Sequence, residues 1–206
     1  MELARLLLIA WLAAAGSLVQ AEVAVVDDTG ATVRLAQPAR RIVSLAPHLT
    51  ETLFAAGAGE RVVGTVEYSD YPPAASRITR VGGYSRLDLE RVAALQPDLI
   101  IAWQSGNAAA HVDRLRALGF RIYVSQPNRI DDVASEIERL GVLAGSAPVA
   151  GRAAEAFRQR FAGLQKRYGS RPPVRTFYEI WKQPLMTVGR QQIISDVIRL
   201  CGSDNL

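Results

Sequence analysis

From residue 42 onward, short wholly apolar runs alternate with longer segments whose apolar residues recur every three or four positions. The runs read as strands buried on both faces, the longer segments as amphipathic helices. Ile42 to Leu45 is the first run, and Pro47-His48-Leu49-Thr50 opens a helix ending near Gly57. Gly57-Ala58-Gly59 follows a helix and lacks a third glycine, so it reads as a helix cap rather than a dinucleotide loop. Val62 to Val66 is the second strand; it empties through Glu67-Tyr68-Ser69-Asp70-Tyr71 into Pro72-Pro73, which cannot continue a ladder. A helix begins within Leu87 to Val92 and stops at Pro97. Leu99 to Trp103 is the third strand, followed by the polar loop Gln104-Ser105-Gly106-Asn107. The next helix carries Val112, Leu115 and Leu118, and a strand runs from Ile122 to Val124. Asp131-Asp132 then caps a helix with Val133, Ile137 and Leu140 on one face.

Phe157, Phe161, Leu164 and Tyr168 put one apolar stripe on a helix from Val149 to Tyr168, about 30 Å long. Beyond Pro172-Pro173, a strand from Val174 to Ile180, a turn around Pro184 and a helix from Gln191 to Leu200 begin a second α/β unit that is not finished. Near the start, Val23–Val26 and Ala31–Leu35 flank Asp27-Asp28-Thr29-Gly30 as a hairpin. The alternation predicts an α/β fold.

Residues 1–21 break this pattern. Arg5 precedes the apolar run Leu6 to Ala15, and Val19-Gln20-Ala21 supplies small residues at a cleavage position, the form of a secretory signal. Such a run is too short to span a bilayer, so the expectation is a soluble protein outside the cytoplasm. The 206 residues are 49% hydrophobic and 21% charged, enough for a core and against disorder. The formal charge of +4 rests on 22 Arg and 2 Lys, scattered rather than interleaved with aromatics, which argues against nucleic acid as a partner. Cys201 is the only cysteine; in an exported chain it points to an absent partner or a free thiol, and its place near the end, just beyond a helix-like segment, to a sequence cut short.

Candidate chemistry concentrates where strands end. Tyr68 and Tyr71, Tyr84, and Trp103 all stand at strand exits or strand–helix junctions. Flat amphipathic rings bury much area at low entropy cost, and a neutral, amide-fringed macrocycle suits them. His48 sits at a helix start near these loops. It is a candidate contact, read on general grounds as hydrogen-bonded locally rather than as a metal ligand. His111 is expected to face solvent, and no cysteine or carboxylate cluster has metal-ligand spacing, so no metal site is expected. A nucleophile elbow, a phosphate loop and a His-Glu metal motif are all missing, and Ser105 has no evident base. Glu67 and Asp70 read as hydrogen-bond acceptors, so an enzyme is not expected.

Ser44-Leu45-Ala46-Pro47-His48 with Thr50-Glu51, Tyr68-Ser69-Asp70-Tyr71-Pro72-Pro73, Leu89-Glu90-Arg91-Val92, and Ile101-Ala102-Trp103 with Gly106-Asn107 resemble the periplasmic cobalamin (vitamin B12)-binding proteins of ABC importers. The likeness continues through Asp196-Val197-Ile198 and Leu200-Cys201-Gly202. It implies two Rossmann-like lobes joined by one long rigid helix, with cobalamin held between them as transported ligand and not as cofactor. The corresponding divisions are a signal peptide at 1–21, an N-terminal lobe at 22–146, the connecting helix at 147–171 and the start of an incomplete second lobe at 172–206. The resemblance implies a ligand contact at Tyr68, a tyrosine replacing tryptophan at Tyr84, Trp103 at the cleft edge, and Glu90 docking onto arginines of a membrane permease. It further implies a periplasmic monomer whose second lobe continues with more ligand contacts, a second docking glutamate and a disulfide partner for Cys201. Haem or an iron siderophore is the alternative cargo, the former favouring clustered Arg and an axial His or Tyr.

Overall fold

The computed structural model describes residues 22–83, 86–172 and 174–205. An antiparallel hairpin, β1 (Val23–Val26) and β2 (Thr32–Leu35), comes first. β3 (Ile42–Ser44) then forms the centre of a five-stranded sheet. β4 (Val62–Thr65) and β5 (Thr79–Arg80) extend it on one side, β6 (Leu99–Trp103) and β7 (Ile122–Ser125) on the other, every pair parallel. Helices α1 (Pro47–Ala55), α2 (Leu89–Ala94) and α3 (Ala109–Ala117) lie in the crossovers, and α4 (Ile130–Ala144) follows β7. α5 (Ala147–Tyr168), β8 (Val174–Thr176), α6 (Ile193–Leu200) and β9 (Ser203–Asn205) complete the order, β8 pairing with β9 in parallel.

Both faces of the sheet are covered, as continuous apolar strands require. Leu99 and Ile101 of β6 join a core with Leu49 and Leu53 of α1 and Ile137 and Leu140 of α4. Ile100 and Ala102 point to the other face, against Val92 of α2 and Leu115 of α3. α1 starts on Pro47, whose fixed φ suits a first helical position. The start of α4 is held by Asp132 rather than Asp131: its Oδ2 accepts from the N–H groups of Asn128 and Arg129 at 2.9 and 2.8 Å. The hairpin turn caps the free edge of β7. Asp28 N–H donates to Val124 O at 3.0 Å, Asp27 Oδ2 accepts from Val124 N–H at 3.2 Å, and Asp28 Oδ2 accepts from Gln126 N–H at 2.6 Å. An edge so occupied is closed to other chains.

α4 and α5 pack through small residues, Gly141 facing Ala150, and are tied by Glu138 accepting two bonds from Arg158 at 2.6 and 2.7 Å. Several expectations change here. Leu118 caps α3 and is 52% exposed instead of joining its buried face. On α5 only Ala150 and Ala154 are fully buried. Phe157 reaches the core, but Phe161 and Tyr168 are half-buried and Leu164 is exposed, so the stripe is mostly surface. The strand expected over Val174 to Ile180 stops at Thr176, because β9 pairs only with its first three residues. Phe177, Tyr178 and Ile180 lie exposed beyond it. Cys201 is a free, exposed thiol. No helix of the described residues is long and apolar enough to cross a membrane. The expected signal segment lies outside the described residues.

Candidate functional site

From β3 the chain passes first to β4 on one side and later to β6 on the other, which makes the carboxyl ends of β3 and β6 the switch point of the sheet. Loops part there, and ligands of open α/β sheets settle in the resulting crevice. A cleft of about 430 Å³ opens at this place, within the usual range of small-molecule sites. One wall is α1, through His48, Glu51, Thr52 and Ala55. The floor and the facing wall come from Trp103, Gln126 and Pro127 after β7, and Val133, Glu136 and Ile137 of α4. Tyr71 closes one side, and Gln192 with Ile193 at the start of α6 closes another.

The loops are pinned by polar bonds that the local sequence supplies. Trp103 N–H donates to Asn107 Oδ1 at 2.7 Å, and Asn107 Nδ2 donates to Leu45 O at 2.9 Å, so one asparagine stitches the exits of β6 and β3. A methyl group on Gly106 would overlap the Trp103 ring, which is why the loop turns on glycine there. Thr50 Oγ1 is the hub of a buried hydroxyl group cluster, 2.9 Å from Ser44 Oγ and 2.7 Å from Thr65 Oγ1. This cluster ties α1 to the ends of β3 and β4, the latter leading to the tyrosine loop.

His48 and Trp103 meet edge to face, with ring centroids 5.0 Å apart and an interplanar angle of 84°. The reading of His48 as locally hydrogen-bonded is corrected. Its side chain makes no hydrogen bond among the described residues, and Nε2 is buried without a partner. Burial lowers its pKa below the ordinary 6.5, so the imidazole is neutral at pH 7. Of the other candidates, Tyr71 lines the cleft although 66% exposed, whereas Tyr68 is 79% exposed and is not among the lining residues. Tyr68 holds a left-handed backbone with φ of 64°, uncommon for a residue with a bulky side chain. Tyr84 lies outside the described residues. Glu90 is exposed in the first turn of α2, beside a separate cavity that it shares with Glu67 and Asp88. His111 is half-buried on α3 rather than solvent-facing. Among the described residues no group of three or more metal-binding side chains comes together.

Sequence reasoning missed Glu136. It is 1% exposed at the cleft floor, and Oε1 has no hydrogen-bond partner. Burial pushes its pKa from the ordinary 4.5 up to about 7; the Ser125 hydroxyl and Arg139 pull the other way, while Asp28 and Asp132 add to the rise. Ser125 Oγ itself falls short of hydrogen-bond geometry. The nearby Arg139 is ion-paired with Asp28 Oδ1 at 2.6 Å and donates to Val26 O at 3.1 Å, while its Nε is buried without a partner. A signal existed: Val133, Glu136 and Leu140 follow the three-and-four spacing of the buried face of α4.

Comparison with known proteins gives a consistent result. The periplasmic binding protein family matches residues 42–206. A vitamin B12-binding protein of Vibrio cholerae is 43% identical over 169 residues, 82% of this chain and 61% of the relative. One from Yersinia pestis is 41% identical over 171 residues, 83% of this chain and again 61% of the relative. The crystal structure of the periplasmic vitamin B12-binding protein BtuF of Vibrio cholerae superposes with a TM-score of 0.77 at 43% identity, over 82% of this chain and 66% of that one. The periplasmic haem-binding protein RhuT of Roseiflexus sp. RS-1 gives 0.69 at 27% identity, over 81% of this chain and 65% of that one. This chain thus spans 61% of the length of the curated relatives it matches. It belongs to the periplasmic binding protein family.

Proposed function

We propose that this protein captures cobalamin in the periplasm and delivers it to the membrane permease of an ABC importer, without catalysing a reaction. Residues 1–21 serve as the export signal. The corrinoid lies across the carboxyl ends of β3 and β6, against Trp103, Tyr71 and His48, with Tyr68 and Tyr84 as further contacts. Glu90 docks onto the permease. The 22–146 and 172–206 portions act as two lobes about the helix between them.

The observation that carries this reading is the character of the cleft: Trp103, Tyr71, Val133, Ile137, Ile193 and Pro127 give it broad apolar and aromatic walls with few polar groups. Such walls suit a large, largely neutral ring, whose contact free energy scales at about 25 cal/mol per Å² of apolar area removed from water. The likeness at 41–43% identity to proteins named for vitamin B12 binding supports the same cargo. The test is titration of the full-length protein with cyanocobalamin, haem and a ferric siderophore, followed by absorption spectra. Saturation by cyanocobalamin with weak salt dependence is expected. Saturation by haem with no response to cyanocobalamin would overturn the assignment.

A further inference from the structure

The chain carries 24 Lys and Arg against 20 Asp and Glu, yet among the described residues no Lys or Arg lines the cleft. Its two ionisable acids are Glu51, exposed on α1, and Glu136, buried at the floor of the opposite wall. The basic side chains nearby do not line it. Arg139 is held by Asp28 and the carbonyl of Val26, and Arg129 and Arg190 line a separate cavity with Arg199. Asp27 and Asp28 in the hairpin turn, Asp132 on α4 and Tyr123 on β7 surround the same region without adding a positive charge. His48, across the cleft, is neutral at pH 7.

We infer that Glu136, supported by Glu51, determines specificity: it admits ligands fringed by uncharged amides and turns away those bearing carboxylates. This rests on the corrinoid reading above and specifies which chemical forms the site accepts. A primary amide has two N–H donors and a carbonyl acceptor, so it satisfies Glu136 in either protonation state, accepting from a carboxylic acid or donating to a carboxylate. A ligand carboxylate only accepts, and it brings a second negative charge beside Glu136, where the neighbouring cation, Arg139, is already paired with Asp28. Like charges that close cannot both ionise without cost. One of the two groups must then take up a proton, or the ligand must withdraw. A buried polar group left unpaired by the wrong ligand discriminates more sharply than a change in apolar volume.

The experiment compares cyanocobalamin with its monocarboxylic acids, in which single propionamide side chains are hydrolysed, at pH 8 on the full-length protein and on Glu136→Gln and Glu51→Gln. At least one monocarboxylate is expected to bind the native protein tenfold or more weakly than cyanocobalamin, about 1.4 kcal/mol. That gap, taken as a ratio within each protein, should shrink several-fold in Glu136→Gln and less in Glu51→Gln. Equal binding of every monocarboxylate to the native protein overturns the inference while leaving the corrinoid reading intact. A gap that persists unchanged in Glu136→Gln, or that closes only in Glu51→Gln, overturns the role of Glu136. No binding of cyanocobalamin to the native protein overturns the corrinoid reading and the inference with it.

Discussion

Glu136 carries a stability cost whose sign with pH follows from its raised pKa, about 7 in the fold against 4.5 ordinarily. Below pH 4.5 the group is protonated in both folded and unfolded chains and contributes nothing to the dependence. Between 4.5 and 7 the unfolded chain releases the proton while the folded chain keeps it, so stability falls as pH rises. Above 7 the cost is fully present, roughly 3 kcal/mol at most for a shift of this size. Glu136→Gln is therefore expected to raise stability relative to native at pH 8 and to change it little at pH 4, as read by urea unfolding at both pH values. A constant difference across that range would mean that the buried carboxyl does not titrate in this window. His48 runs the opposite way. Its lowered pKa makes the fold resist protonation, so its contribution is intact at neutral pH and is lost as pH falls below the ordinary 6.5. At the same scale, Gly106→Ala places a methyl group where the Trp103 ring lies. It should weaken ligand binding tenfold or more while leaving the far-UV spectrum unchanged. An unaltered affinity would show that the position of Trp103 is immaterial to the cleft.

Elements were most legible where both their faces are covered. Leu99 to Trp103 is an unbroken apolar run because β6 lies mid-sheet between helices, and its observed bounds match the expected ones. The hairpin at Val23–Leu35 was equally plain, its alternation and Asp-Asp-Thr-Gly turn both local features. Away from the covered sheet the pattern misled. The apolar stripe of α5 has helical spacing, but spacing cannot say whether another element covers it, and α4 meets the N-terminal half of α5, through Ala150, Ala154 and the Arg158–Glu138 pair. Val174 to Ile180 is rich in β-forming residues, yet strand length is set by the partner, and β9 is three residues long. The cleft was partly legible: aromatic residues at strand exits flagged Tyr71 and Trp103, whereas Glu136 was not singled out, although its spacing places it on the buried face of α4. The α4–α5 contact offers a direct check. A Cβ at Gly141 would overlap that of Ala150, so Gly141→Leu must push the helices apart. It is expected to destabilise the fold by about 1–3 kcal/mol, measured by the denaturation midpoint; a loss below about 0.5 kcal/mol would show that the helices separate freely.

At the scale of the whole molecule, the surfaces proposed for capture and for delivery are distinct. The cleft and the cavity lined by Glu67, Arg86, Asp88 and Glu90 share no lining residue. Glu90 sits in the first turn of α2, whose buried residue is Val92, and its side chain is exposed. A simpler account exists for an acid in that position, since the helix dipole favours it by about 0.5 kcal/mol. The two accounts separate cleanly. If the carboxylate serves only the helix, Glu90→Ala lowers stability slightly and leaves transport in proportion to the amount of folded protein. If it meets a basic surface of the permease, Glu90→Ala leaves cyanocobalamin affinity within twofold of native but reduces transporter-coupled uptake severalfold at equal protein concentration. Charge pairing of this kind acts on encounter and is screened by salt, so the difference between native and variant uptake should narrow as ionic strength rises. Uptake into vesicles containing the importer, with ligand binding measured in parallel on the same preparations, tests the docking role. Matched losses of binding and uptake, or a difference insensitive to salt, would overturn it.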